Sequence, residues 1–287
     1  MNKKLLVLVI LVNCLVGCFY FYPELTKQQT LALCFHRLEA QKPFKYSWSI
    51  SRANFSQLLD YLVAKGYKTL TCQQLVDFLQ GKSELPTRSV VLTFDDAALS
   101  HAEVAAPELK KRNLHGVFFA HGTRSKEKEE LVGDEAKKLL VGGEIQSHGF
   151  AHKSMAKAGN ETDKAYEKRM SEQLARSREE IKRLSGKEPI ALAYPGGAWS
   201  SSHLSVLKTK GFKIAFTVDF GYITRDSQPY GLPRLVVTDD NDLDQLSLFM
   251  DGGRSTTQLG AALSFLLTLL CIAALLVGKN NGRQTEN

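Results

Sequence analysis

Four short stretches carry side chains able to do hydrolytic chemistry together. Thr93-Phe94-Asp95-Asp96 sets two carboxylates side by side, and Ser147-His148-Gly149-Phe150-Ala151-His152 sets two imidazoles four residues apart. Tyr194-Pro195-Gly196-Gly197 is a Pro-Gly turn, and His36 stands alone near the start of the chain. Two imidazole nitrogens and one carboxylate make three protein ligands and leave a position open for water or substrate, as catalytic zinc requires. Histidines four apart share one face of a helical turn. Neighbouring residues of a strand point to opposite sides, so Asp95 and Asp96 can take different roles. Each stretch also has a plainer reading: paired aspartates cap a helix or close a turn, a Pro-Gly-Gly run turns the chain, and a single histidine packs or is solvated.

The elements that must position these residues alternate between strand and helix. Runs rich in β-branched and apolar residues predict strands at Leu31–Phe35, Ser89–Phe94, Gly116–Ala120, Glu144–Ser147, Ile190–Tyr194, Lys213–Val218 and Arg234–Val237. Ser51 before Phe55, Leu58, Leu59, Leu62 and Val63 predicts a capped helix stopped by Gly66, and Thr71 with Gln74 fits a capping box opening another. Further helices are expected at Pro107–Arg112, Asp134–Leu140, Asp163–Leu184 and Ser202–Lys210. Alternation of this kind predicts an α/β fold whose parallel strands form an open sheet or close into a barrel. In such sheets the reactive groups gather where the strands end, and His36, Asp95, Asp96 and His148 follow a predicted strand while Tyr194 ends one.

These residues resemble the motifs of the polysaccharide deacetylases, carbohydrate esterase family four, also called the NodB homology domain. Thr93 to Asp96 is similar to the family's Thr-Phe-Asp-Asp, and His148 with His152 to its His-x-x-x-His. The resemblance covers roughly residues 30 to 240 and implies a distorted, incomplete (β/α) barrel. It implies Asp96, His148 and His152 as ligands of one divalent metal, with zinc the default and cobalt, nickel or iron also accepted by such donors. It also implies Asp95 as general base and the Gly196 backbone as oxyanion donor, with Tyr194 and Pro195 near substrate. Most members carry a Leu-x-His acid motif near the domain's end, where this chain has Pro233-Arg234-Leu235. Cys34-Phe35-His36-Arg37 instead resembles the first-strand histidine segment of the exported poly-N-acetylglucosamine deacetylases, in which the acid motif is circularly permuted, and this makes His36 the general acid.

Some positions depart from the family pattern. Ala97 stands at a common glycine, Gly149 at a common Ser or Thr, Ala193 at an arginine that orients the base, and Gly196 at an aromatic. Asp219 could stand in for an Asp-Trp motif or lie in a surface loop. His101, His115, His121 and His203 match no motif and read as structural or solvated. The resemblance implies removal of N-acetyl groups from an amino-sugar polymer. The alternatives are a non-catalytic glycan-binding or assembly protein that keeps the fold, and a deacetylase of peptidoglycan or another acylated glycan.

The chain's ends predict a membrane location. Asn2, Lys3 and Lys4 precede an apolar run from Leu5 to Val12, as in a secretory signal, and Leu15-Val16-Gly17-Cys18 resembles a lipobox with Cys18 as the acylated residue. Residues 1–22 are therefore a signal peptide, a lipoprotein signal or an anchor. Residues 259–277 are nearly all apolar and long enough to span a bilayer, with 251–258 a linker and 278–287 a cytoplasmic tail bearing Lys279 and Arg283. The domain at residues 30–250 is then extracytoplasmic. The 287 residues carry 37 Lys and Arg against 30 Asp and Glu, a net +7. The charged runs mix both signs, as in Lys126 to Glu130 and Glu167 to Arg183, which reads as solvated helix faces and not as a nucleic-acid surface. Five scattered cysteines exclude a disulfide framework, and nothing in the sequence sets an oligomeric state.

Overall fold

A computed structural model describes residues 28–122, 130–200 and 204–250. The expected signal, the lipidated Cys18, the linker, the apolar span, the tail and His203 lie outside the described residues. No helix among the described residues is long and apolar enough to cross a membrane.

The strands are β1 (Gln29–Phe35), β2 (Arg37–Glu39), β3 (Ser49–Ser51), β4 (Lys68–Thr69), β5 (Ser89–Phe94), β6 (Gly116–Ala120), β7 (Gly143–Ser147), β8 (Ala191–Ala193), β9 (Ile214–Phe216), β10 (Ile223–Thr224) and β11 (Leu235–Val236). The α-helices are α1 (Arg52–Ala64), α2 (Cys72–Leu79), α3 (Ala106–Lys111), α4 (Asp163–Ser185), α5 (Leu204–Thr209) and α6 (Leu243–Met250). The main sheet runs β10-β1-β5-β6-β7-β8-β9, with β11 also on β1 and β4 also on β5. It is a curled, mixed half-barrel. The expectation of parallel strands throughout is corrected at β10, which pairs antiparallel to β1 through Gln29–Thr224 and Thr30–Ile223.

Period-two alternation buries both faces of this sheet. Leu33, Phe35, Leu92, Phe94 and Phe118 pack with Phe55, Leu58, Leu59 and Leu62 of α1 on one face. Ala32, Val91, Val117, Phe119, Ala193 and Phe216 pack on the other with Leu75, Val76 and Phe78 of α2. The helix starts follow the sequence signals. The Ser51 hydroxyl accepts from the Asn54 N–H at 3.2 Å, and Thr71 and Gln74 cap each other reciprocally.

One segment ties the two margins of the curl together. Leu232 bridges Phe216 of β9, while Leu235 and Val236, three and four residues further on, pair with Leu33 and Cys34 of β1. Arg234 sits between these contacts and is fully buried. The helix expected at Asp134–Leu140 is a 3-10 helix over Gly133–Val141, and a single π-helical turn (His101–Ala105) precedes α3.

Candidate active site

Asp95 directly follows β5, where its N–H donates to the Phe35 carbonyl, and its side chain lies on the sheet face of Val91 and Thr93. Asp96 and Ala97 then take left-handed φ values of 73° and 49°, turning the chain sharply so that the two adjacent carboxylates diverge. An L-residue pays roughly 1–2 kcal/mol for that conformation, which accounts for glycine suiting the position of Ala97. The turn is held by the Leu131 N–H on the Ala97 carbonyl at 2.8 Å.

The two histidines do not lie on a helical turn as the spacing suggested. His148 ends β7, and a loop containing Gly149 at φ 74° and His152 at φ 48° folds back on itself. A Cβ on Gly149 would meet only the flexible end of Met155, so it is the left-handed φ that favours glycine where the family has Ser or Thr. The result brings Asp96 Oδ1 to 2.9 Å from His152 Nε2 and 3.4 Å from His148 Nε2. Nδ1 of His148 is 2.9 Å from the Ala193 carbonyl, which fixes it as the N–H and leaves the lone pair of Nε2 to ligate a metal. A tetrahedral ion held at about 2.0–2.1 Å by its ligands spaces them roughly 3.4 Å apart. Asp96 Oδ1 already stands near that spacing from both nitrogens, and all three donors lie within 4.8 Å of one another, so the set fits a divalent cation.

Asp95 is placed by a residue that the sequence reading did not assign to the site. Nη1 and Nη2 of Arg234 donate to Oδ1 and Oδ2 of Asp95, each at 2.7 Å. Arg234 is itself fixed by Nε donating to the Thr217 carbonyl at 2.7 Å and Nη1 to Thr93 Oγ1 at 3.1 Å, between the rings of Phe119 and Phe216. Burial alone would raise the Asp95 pKa, but the Arg234 guanidinium outweighs it, with help from His148 and His36, and holds the carboxyl well below the usual carboxylate range. Burial acts on Asp96 in the same sense and is outweighed by the His148 and His152 hydrogen bonds, so Asp96 too is held low.

His36 lies at the end of β1, next to β5, and one donor atom each of His36, Asp95 and Cys34 fall within 4.8 Å of one another. Burial pushes His36 below its ordinary pKa, against the opposing pull of Asp95 and Asp96. Burial pushes the Cys34 thiol up, so it stays protonated. Trp48, 39% exposed, has its ring centroid 6.3 Å from that of His36 and stacks on Tyr46 at 5.6 Å. Those two rings form an aromatic ledge beside His36.

The remaining expected residues are placed as follows. Gly196 occupies the turn after β8 at φ 65°, with nothing within 4 Å of where a Cβ would lie. Pro195 is buried in the same turn. Tyr194 was expected to meet substrate. It is fully buried instead, its hydroxyl donating to the Tyr230 carbonyl at 2.8 Å, so it supports the turn from beneath. Asp219 is exposed in a loop, where its carbonyl takes the Arg234 N–H. His101 is buried against Phe94, and burial lowers its pKa to about 3; His115 meets Glu144 at 3.3 Å. His121, read as structural or solvated, is not solvated. It is buried at the end of β6, its ring 5.1 Å from that of His152. Glu130, taken from its charged neighbours as part of a solvated face, is 5% exposed and pairs with buried Arg37 at 3.4 Å.

Comparison with known proteins agrees with this geometry. Residues 82–215 match the family model described as polysaccharide deacetylase. The chain is 26% identical over 202 residues to a poly-β-1,6-N-acetyl-D-glucosamine N-deacetylase of Staphylococcus aureus (strain MRSA252), covering 68% of this chain and 69% of that protein. The structure of IcaB from Ammonifex degensii superposes with a TM-score of 0.66 at 27% identity, over 78% of this chain and 97% of that one. A Streptococcus pyogenes deacetylase, PplD, in complex with acetate shares the fold with a TM-score of 0.70 at 20% identity, over 78% of this chain and 99% of that one. The chain carries a polysaccharide deacetylase domain of carbohydrate esterase family four, distantly related to the poly-β-1,6-N-acetyl-D-glucosamine N-deacetylases.

Proposed function

We propose that this protein is a metal-dependent N-deacetylase of an amino-sugar polymer of the poly-N-acetylglucosamine kind, working outside the cytoplasm while tethered to a membrane. The observation that carries the reading is a buried carboxylate, Asp95, locked ionised by Arg234 beside a three-donor group of Asp96, His148 and His152. The location rests on the apolar sequences at residues 5–12 and 259–277.

An acetamide is a poor electrophile with a poor leaving group. Asp96, His148 and His152 would hold a divalent ion, zinc by default, which when bound would supply Lewis acidity toward the water and the acetamide carbonyl. Asp95 takes a proton from the attacking water. His36, whose ring lies within 4.8 Å of Asp95 at the end of the neighbouring strand, is the group placed to protonate the leaving amine. The Gly196 N–H meets the carbonyl oxygen as charge develops there. The pyranose next to the reacting sugar lies on the Trp48 and Tyr46 ledge.

Ala193 stands where other members carry the arginine that orients the base, which motivated a non-catalytic reading. Arg234 answers that objection from the segment just before β11, and a pure glycan binder has no use for an ionised carboxylate fixed this way. The test is acetate release from β-1,6-linked N-acetylglucosamine oligomers by the purified protein. Release is expected, is lost on chelation and returns with added Zn²⁺ or Co²⁺. Oligomer binding without turnover under saturating metal would instead establish the non-catalytic reading.

The aromatic ledge gives a separate expectation. Losing a stacking face worth about 1.4 kcal/mol costs about tenfold in affinity. Trp48→Ala should therefore raise KM for a pentamer about tenfold with kcat nearly unchanged, and leave a monosaccharide substrate unaffected. An equal effect on both substrates would remove Trp48 from the binding surface.

A further inference from the structure

A second set of metal-ligating side chains borders the first, and the deacetylation chemistry leaves it unused. Asp96, His121 and Glu130 bring one donor atom each within 4.8 Å of one another, and their exposures are 4%, 2% and 5%. His121 Nε2 lies 3.4 Å from Glu130 Oε2, so imidazole and carboxylate meet inside the protein. Among the described residues the five side chains form two donor groups, with Asp96 in both. The His121 ring centroid is 5.1 Å from that of His152 and 6.5 Å from that of His148. Imidazole with two carboxylates is a donor set that zinc, cobalt and manganese accept. A carboxylate offers two oxygens, and adjoining metal sites are typically about 3.5–4 Å apart.

We propose that Asp96, His121 and Glu130 form a second divalent-cation site, weaker than the first, that fills when the cation is in excess and slows turnover. Three features make it the weaker site. A second dication is repelled by the first across a few ångströms. Asp96 must divide its charge between the two. Arg37 Nη2 already draws on Glu130 Oε1 at 3.4 Å. Filling the second site slows the reaction because it pulls on Asp96, which also serves the first. The effect on turnover rests on the deacetylase reading above; the binding does not.

The experiment titrates the chelator-stripped full-length protein with Co²⁺ alone, followed by visible absorption and by metal quantification after equilibrium dialysis. The wild type should take up two equivalents, the second at least tenfold more weakly. Glu130→Gln, which keeps size and shape, and His121→Leu should each retain the first equivalent with its spectrum and lose the second. Should His121→Leu fail to fold, Glu130→Gln decides. Excess Zn²⁺ should inhibit acetate release by the wild type and not by Glu130→Gln. Saturation of the wild type at one equivalent, or a second equivalent that survives in Glu130→Gln, overturns the site. Two equivalents bound without any acetate release would leave this site standing and count against the deacetylase reading alone.

Discussion

Replacing Arg234 with methionine is expected to cut acetate release by about 10²–10⁴-fold, the range for loss of a positioned base, and to destabilise the fold by about 3–5 kcal/mol. The physical reason is the same for both. Arg234 and Asp95 are 0% and 2% exposed and meet through two contacts of 2.7 Å. Without the guanidinium, burial is left to act on Asp95, and its pKa rises. The carboxylate then stays charged at high cost or takes up a proton and stops serving as a base. The sign of the pH dependence follows. A carboxyl depressed in the folded state contributes stability above its unfolded pKa, and that contribution is lost as pH falls through the folded value. Arg234→Met should remove this term, so its deficit against wild type, measured by urea unfolding, is larger at pH 7 than at pH 3. Asp95→Asn alone should lose turnover to a similar degree. The double variant should be more stable than the sum of the single costs allows, by about 0.5–3 kcal/mol, and no less active than Asp95→Asn. Arg234→Lys keeps the charge and forfeits the fork, and is expected to recover stability more than rate. Wild-type acetate release in Arg234→Met would show that Asp95 needs no such partner, and release persisting in Asp95→Asn would remove Asp95 as the base.

Local signals in the chain were enough to place most of the scaffold. The run Ser89–Phe94 is a strand with those bounds, and the Thr71–Gln74 capping box forms as its spacing demands. Asp163 and Gly186 bracket α4 because Thr162 caps its start and Gly186 takes the left-handed φ of 71° at its end. These features depend on neighbours a few residues away. The convergence of Asp96 with His148 and His152 was readable too, though for a different geometric reason: two left-handed residues, and not a helical turn, bring the imidazoles together.

What the sequence hid was partnership across the fold. Arg234 lies 139 positions from Asp95 in a two-residue stretch between sheet margins, and Pro233-Arg234-Leu235 carries no periodicity that would reveal a buried cation. Glu130 sits at the end of a run of mixed charges, so composition argues for solvent, while pairing with Arg37 93 residues away puts it inside. His121 follows an apolar strand, and only the placement of β6 between β5 and β7 brings it against the site. The antiparallel β10 was missed because two residues provide too little pattern to show direction. In each case burial of a polar group is decided by a distant partner, and one sequence does not name that partner.

Asp96→Asn is expected to be the most damaging change to cation binding, because both donor groups contain this residue. Asparagine tolerates the left-handed φ of 73° found there, so the variant isolates the loss of charge from any change in the turn. In the intact protein, Asp96 Oδ1 is shared by the Nε2 atoms of His152 and His148 at 2.9 and 3.4 Å. An amide oxygen in its place carries no net charge to offset a dication, and the two imidazoles alone bind it far more weakly. Co²⁺ affinity at the first site should fall at least a hundredfold, and acetate release at micromolar metal should fall to background. Millimolar Co²⁺ should restore part of the turnover if the loss is one of affinity. His148→Ala should lose the first equivalent and keep weak uptake through Asp96, His121 and Glu130, whereas Asp96→Asn should depress both. A protein with Asp96→Asn that still took up Co²⁺ with wild-type affinity and spectrum would mean that the carboxylate at the head of this turn is not the group that holds the ion.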